Sequence, residues 1–154
     1  NNPGFNKLVF PEKDCVEYLY ASSCSLSGQL SISSNTINEV SVSGNKLEKL
    51  SLNGPNLEYV HCNDNSLTEI VLPNNTSRVL RLNCENNLLT ELGVITDKFR
   101  WEGSSISGNP GKDGIFTLYV SDKVSSYYTE SYVLSWQWQW QGQDISVKVV
   151  IVPS

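Results

Sequence analysis

The 154-residue sequence predicts a mainly β chain: a short solenoid of stacked coils followed by a small antiparallel β unit. Three observations predict it. Apolar residues recur in blocks of about 20 to 22 residues between Val16 and Val94, the spacing of a coil that repeats rather than of a single sheet or bundle. Within each block they are spaced two apart at one point, so side chains alternate between an inner and an outer face as they do along a strand. Beyond Val94 the blocks give way to three strand-like runs separated by turn-forming residues. These readings divide the chain into a solenoid over residues 1–96 and a C-terminal unit over 97–154.

The elements follow in order. Phe5, Leu8 and Phe10 match the back half of a block, giving an N-terminal half repeat. Four full copies follow. The first runs Val16, Leu19, Ala21, Cys24, Leu26, Leu30 and Ile32, and the second Ile37, Val40, Val42, Asn45, Leu47, Leu50 and Leu52. The third runs Leu57, Val60, Cys62, Asn65, Leu67, Ile70 and Leu72, and the fourth Val79, Leu82, Cys84, Asn87, Leu89, Leu92 and Val94. In each, the first strand should aim its apolar pair inward, as Val40/Val42 and Val60/Cys62, leaving the intervening residues in solvent. The asparagine after that strand has an amide that can donate and accept, so Asn45, Asn65 and Asn87 should satisfy backbone groups of neighbouring coils. The back halves, such as LEKLSL and LTEIVL, are too short for a helix of several turns and should be extended or turn-like.

The shared form, LxxLxLxx(N/C)xLxxLxL, resembles the leucine-rich repeat over roughly residues 5 to 94. Its LxxLxCxxNxLTxL variety looks most like repeats of secreted or surface proteins of bacteria, which implies a secreted, periplasmic or cell-surface location. The N-terminus lacks a basic segment followed by an apolar stretch, so any signal peptide lies outside this chain. In that family the strand face commonly carries the ligand.

The C-terminal runs are Ile115 to Val120, Tyr132 to Trp140 and Ile145 to Val152, the last two joined by QGQD as a hairpin loop. Asn109 to Gly114, NPGKDG, reads as a turn. Along the middle run Leu134, Trp136, Trp138 and Trp140 share one face. Three exposed indoles would make an apolar patch of several hundred Å², and the last coil of a solenoid needs covering. The tryptophan face is therefore expected to pack within the C-terminal unit or against the last coil, the alternative being an exposed row that stacks sugars or extended peptides.

Charge and composition restrict function. A formal net charge of -5, with no basic run, disfavours nucleic acid. The longest apolar run, Val149 to Val152, is far below the roughly 18 residues of a membrane span. No cofactor is expected. Cys62 and Cys84 hold one inward slot on successive coils, where side chains lie alongside each other, and are read as free thiols. His61 and Cys62 point to opposite faces, so HCND is not a metal site. Glu39 and Glu85 lie too far apart for paired-carboxylate chemistry, and with a single histidine and no nucleophile motif the expectation is no enzyme and no catalytic residue. What remains is a binding or adhesion module recognising a protein through the outer strand face, with Tyr18, Tyr20, Tyr59, His61 and Arg81 as contact residues. The alternatives are glycan binding by the tryptophan row and a structural spacer within a larger surface protein.

Overall fold

A computed structural model describes residues 7–9, 15–100, 102–134 and 138–154. Phe5, Phe10 and Trp136, named above, lie outside the described residues. In chain order the elements are β1 (Lys7–Val9), β2 (Tyr18–Tyr20), β3 (Ser27–Ser33), β4 (Glu39–Ser41), β5 (Lys46–Asn53), β6 (Tyr59–His61), β7 (Glu69–Val71), β8 (Arg81–Asn83) and β9 (Glu91–Ile95). There follow β10 (Ile115–Ser121), a 3-10 turn (Asp122–Val124), α1 (Glu130–Leu134), β11 (Gln139–Trp140), β12 (Gln143–Asp144) and β13 (Ser146–Val152). The protein is mainly β.

The first eight strands form two parallel sheets, β1-β3-β5-β7 and β2-β4-β6-β8, and the chain alternates between them. The register of the even sheet is regular: Leu19, Val40, Val60 and Leu82 are aligned partners. In the odd sheet Leu8 is paired with Ile32 and Ile32 with Leu52, while Leu30, Leu50 and Ile70 align in turn. The apolar faces of the two sheets meet in one cluster in which Val40, Val60 and Leu82 are wholly buried. The back halves of the blocks, expected to be extended or turn-like, form a second hydrogen-bonded sheet. Stretches such as SLSGQLSIS alternate apolar and polar residues and have an equivalent stretch beside them one block away, so each backbone edge finds a partner.

The asparagines do what their amides allow. Asn65 accepts from Leu47 N at 3.0 Å and donates to Val42 O and Cys62 O at 3.0 and 3.1 Å. Asn87 repeats this with Leu67 N, Cys62 O and Cys84 O. Asn45 accepts from Cys24 N and Leu26 N. Asn109, read in the sequence as part of a turn, is a further rung of the same ladder, accepting from Leu89 N and donating to Cys84 O and Ile106 O.

That fourth asparagine shows that Val94 does not end the periodic arrangement. Phe99 bridges Leu80 and Ser105 bridges Asn83, both parallel, so another pass of chain lies against β8. Ser104, partly exposed there, accepts through its Oγ from Leu82 N at 2.9 Å. β9 pairs with β10 and β10 with β13, both in parallel, giving a sheet ordered β13-β10-β9. This corrects the expected antiparallel unit. Alternating apolar residues fit either direction, and the intervening stretch 122–145 is long enough for the crossover that parallel pairing requires. Antiparallel pairing among the described residues is confined to the Lys112–Ile115 bridge and the short β11–β12 hairpin, turned through Gln141 and Gly142 at φ of 50° and 76°, the values of a type I′ turn.

The run Tyr132 to Trp140 is not one strand. Residues Glu130–Leu134 are α1, entered from Thr129, whose hydroxyl accepts from Tyr132 N at 3.3 Å and whose carbonyl accepts from Val133 N at 2.9 Å. Trp138 then enters the core: it is 4 % exposed, its ring centroid lies 4.9 Å from that of Phe116, and its indole N–H donates to Val133 O at 2.8 Å. Trp140 is partly exposed. Packing within the C-terminal part, the expectation for the tryptophan face, holds for Trp138, and an exposed row running through Trp138 is not formed. No helix among the described residues is long and apolar enough to cross a membrane.

Candidate binding face

The outer face of the β2-β4-β6-β8 sheet is built by the strand alternation that buries Val40, Val60 and Leu82 and partly buries Leu19. Tyr18, Glu39, Tyr59 and Arg81 form one aligned row across it, and Tyr20, Ser41, His61 and Asn83 form the next. The five residues predicted as contacts, Tyr18, Tyr20, Tyr59, His61 and Arg81, therefore share one face.

They divide into two groups. At the β2 end Tyr18 and Tyr20 are 53 % and 65 % exposed, with rings parallel to within 9° and centroids 6.2 Å apart. Partial desolvation, and next the Glu39 carboxylate that the Tyr20 hydroxyl approaches, push the Tyr20 phenol up from its ordinary range. It is a neutral donor at physiological pH. Across the middle, Arg81 Nη1 lies 3.1 Å from Glu58 Oε1 and its guanidinium carbon sits 5.2 Å from the centre of the Tyr59 ring. Arg78 approaches the other Glu58 oxygen at 3.7 Å, and Asn38 Nδ2 donates to it at 3.4 Å. His61 Nε2 stands 3.7 Å from Glu39 Oε1. A guanidinium held by a carboxylate and an aromatic ring has little rotamer freedom left to lose on binding.

Glu58 is the organising residue that sequence reasoning missed. It lies one position before β6, so a search restricted to strand positions passes over it. The signal was present: Asn38 occupies the same place one block earlier, and these two residues are the ones that meet at 3.4 Å.

A polar border completes the face. Ser22 and Ser41 hydroxyls are 2.8 Å apart, Ser43 donates to Asn63 at 2.6 Å, Asn63 and Asn86 both donate to Asp64, and Ser105 donates to Glu85. Among the described residues no group of three or more histidine, cysteine or acidic side chains could hold a metal ion. His61 is partly exposed on this face while Cys62 is wholly buried behind it, as expected from their opposite directions.

All four cysteines are free. Burial pushes the Cys62 and Cys84 thiols far up, so both stay protonated in the core. Cys15 and Cys24 are exposed.

Comparison with protein-family models, with curated proteins and with solved structures finds no match to this chain.

Proposed function

We propose that the chain is a leucine-rich-repeat solenoid that binds a protein partner through the outer face of β2, β4, β6 and β8, without catalysis, as an exported or cell-surface bacterial module. The repeat form supports the family. The location rests on the resemblance of these repeats to those of secreted proteins.

The observation that carries the binding reading is the mixture on one face. Tyr18 and Tyr20 offer open aromatic area with polar tips, while Tyr59, Arg81 and Glu58 are already locked together. Tyrosine and arginine are the types enriched at recognition surfaces, since they supply contact area and directional hydrogen bonds at low entropic cost. Tyr18 and Tyr20 bury little in the core, so core packing does not account for these side chains.

The test begins with cross-linking the wild-type protein to extracellular proteins and purifying the captured partner. Replacing Tyr18 and Tyr20 by alanine is expected to weaken that partner's binding at least about tenfold, as for residues at the centre of an interface. The melting temperature should stay within about 2 °C, because neither side chain is buried. Undiminished binding by the double variant, or by Arg81→Ala, sinks the proposal.

A further inference from the structure

A second site adjoins the border of the strand face at Asn86 but uses none of its five contact residues, so it does not depend on the strand-face reading. The β11–β12 hairpin is tied to the asparagine ladder where Gly108 N donates to Gln139 O at 2.9 Å. Gly108 lies at φ 74°, and a Cβ there would stand 2.9 Å from Asn86 N, so only glycine allows the two segments this close. The approach leaves an open cleft of about 330 Å³ between the hairpin tip and the turn after β8.

The chemistry of its lining is specific. Trp140 supplies a partly exposed indole, and Leu88, 41 % exposed, supplies an apolar surface. Ser66, Asn86 and Gln141 supply polar groups, and no charged side chain lines the cleft. The Asn86 amide nitrogen is used by Asp64, at 2.8 Å, which leaves its carbonyl oxygen without a protein donor. Among the described residues the Ser66 hydroxyl, the Gln141 amide and the Trp140 N–H have no partner either, and all belong to residues exposed or partly exposed to solvent. A flat apolar surface beside uncommitted neutral donors and acceptors matches a ligand that has an apolar face and a rim of hydroxyls. An anionic ligand would find no cation here, and a purely apolar one would strand the amides.

We propose that this cleft binds a neutral saccharide of one or two pyranose units, stacked on Trp140 and hydrogen-bonded to Ser66, Asn86 and Gln141. The volume lies at the small end of the range for ligand pockets, which suits a mono- or disaccharide better than a longer chain.

The experiment is saturation-transfer NMR on the intact protein with cellobiose, maltose, lactose and chitobiose, each at millimolar concentration. At least one should receive transfer, with an affinity weakened about tenfold in Trp140→Ala. Two further variants cover the possibility that Trp140→Ala disturbs the fold. Ser66→Ala removes a hydroxyl that holds nothing in the protein. Gln141→Asn keeps a residue that favours the left-handed turn while drawing the amide back. Each should weaken the same saccharide about threefold or more. Transfer to none of the four, or equal transfer in the wild type and all three variants, overturns the proposal. Either result leaves the strand-face reading untouched, because Tyr18 and Tyr20 take no part in this cleft.

Discussion

Asn87 makes the residue-scale logic plain. It is 1 % exposed, accepts from Leu67 N and donates to Cys62 O and Cys84 O, so one side chain ties together backbone groups from two neighbouring blocks. Alanine there would leave a buried N–H and two buried carbonyls under-satisfied. At about 1 to 3 kcal/mol for an orphaned buried group, Asn87→Ala is expected to lose roughly 3 kcal/mol, read as a lower urea midpoint with the slope unchanged. A loss below about 0.5 kcal/mol would show that water replaces the amide. The period made the role of Asn45, Asn65 and Asn87 legible in the sequence. Asn109 was not legible, because the proline and glycine that follow it carry the ordinary signature of a turn.

At the scale of elements, β9 and β10 show how a sheet continues where its repeat weakens. Their register is Leu118 opposite Leu92 and then Val120 opposite Ile95, so β9 carries one extra residue at Gly93–Val94, a β-bulge. Gly93 is needed there: a Cβ would lie 2.6 Å from Tyr119 Cβ and 2.7 Å from Tyr119 O. Gly93→Ala is therefore expected to push the strands apart and destabilise the protein by about 1 to 3 kcal/mol. Hydrogen exchange should quicken at Thr117 and Leu118 while the even sheet keeps its protection. Equal protection in the variant and the wild type would refute this account of the bulge. Pairing direction was the element-scale feature that local sequence could not supply. Ile115 to Val120 and Ile145 to Val152 were recognisable as strands from their alternation, but that alternation is identical in parallel and antiparallel neighbours. The helix at Glu130–Leu134 was hidden for a related reason. Its residues and those after it show the two-residue spacing of a strand, and what prevails is Thr129 capping a helical turn and Trp138 filling the space beside Phe116.

For the molecule as a whole, the two units expected on either side of residue 96 share structure. β9 pairs across that point with β10, and a single apolar cluster runs from Leu30 to Val147. All tryptophans fall after residue 100, so indole fluorescence reports the C-terminal part while far-UV circular dichroism is dominated by the more numerous earlier strands. Because the core is continuous, the two signals are expected to follow one urea transition with coincident midpoints. Midpoints separated by more than about 0.5 M would mean that the two parts unfold independently.

By itself the sequence determined the period and the inward and outward sides of the strands from Leu19 to Leu92, and hence the shared face of Tyr18, Tyr20, Tyr59, His61 and Arg81. These are one-dimensional consequences of strand alternation and need no knowledge of neighbours. Val16 and Val94, counted with the inward residues, are exposed, and Leu80 rather than Val79 is buried in the fourth block. Tertiary structure alone decided the second parallel sheet, the extension of the asparagine ladder to Asn109, the direction of β10 and β13, the burial of Trp138 and the Glu58 anchor beneath Arg81. Each of these depends on which distant segment lies alongside, a choice made by the sum of hydrogen bonds and buried area over the whole molecule rather than by any local pattern of residues.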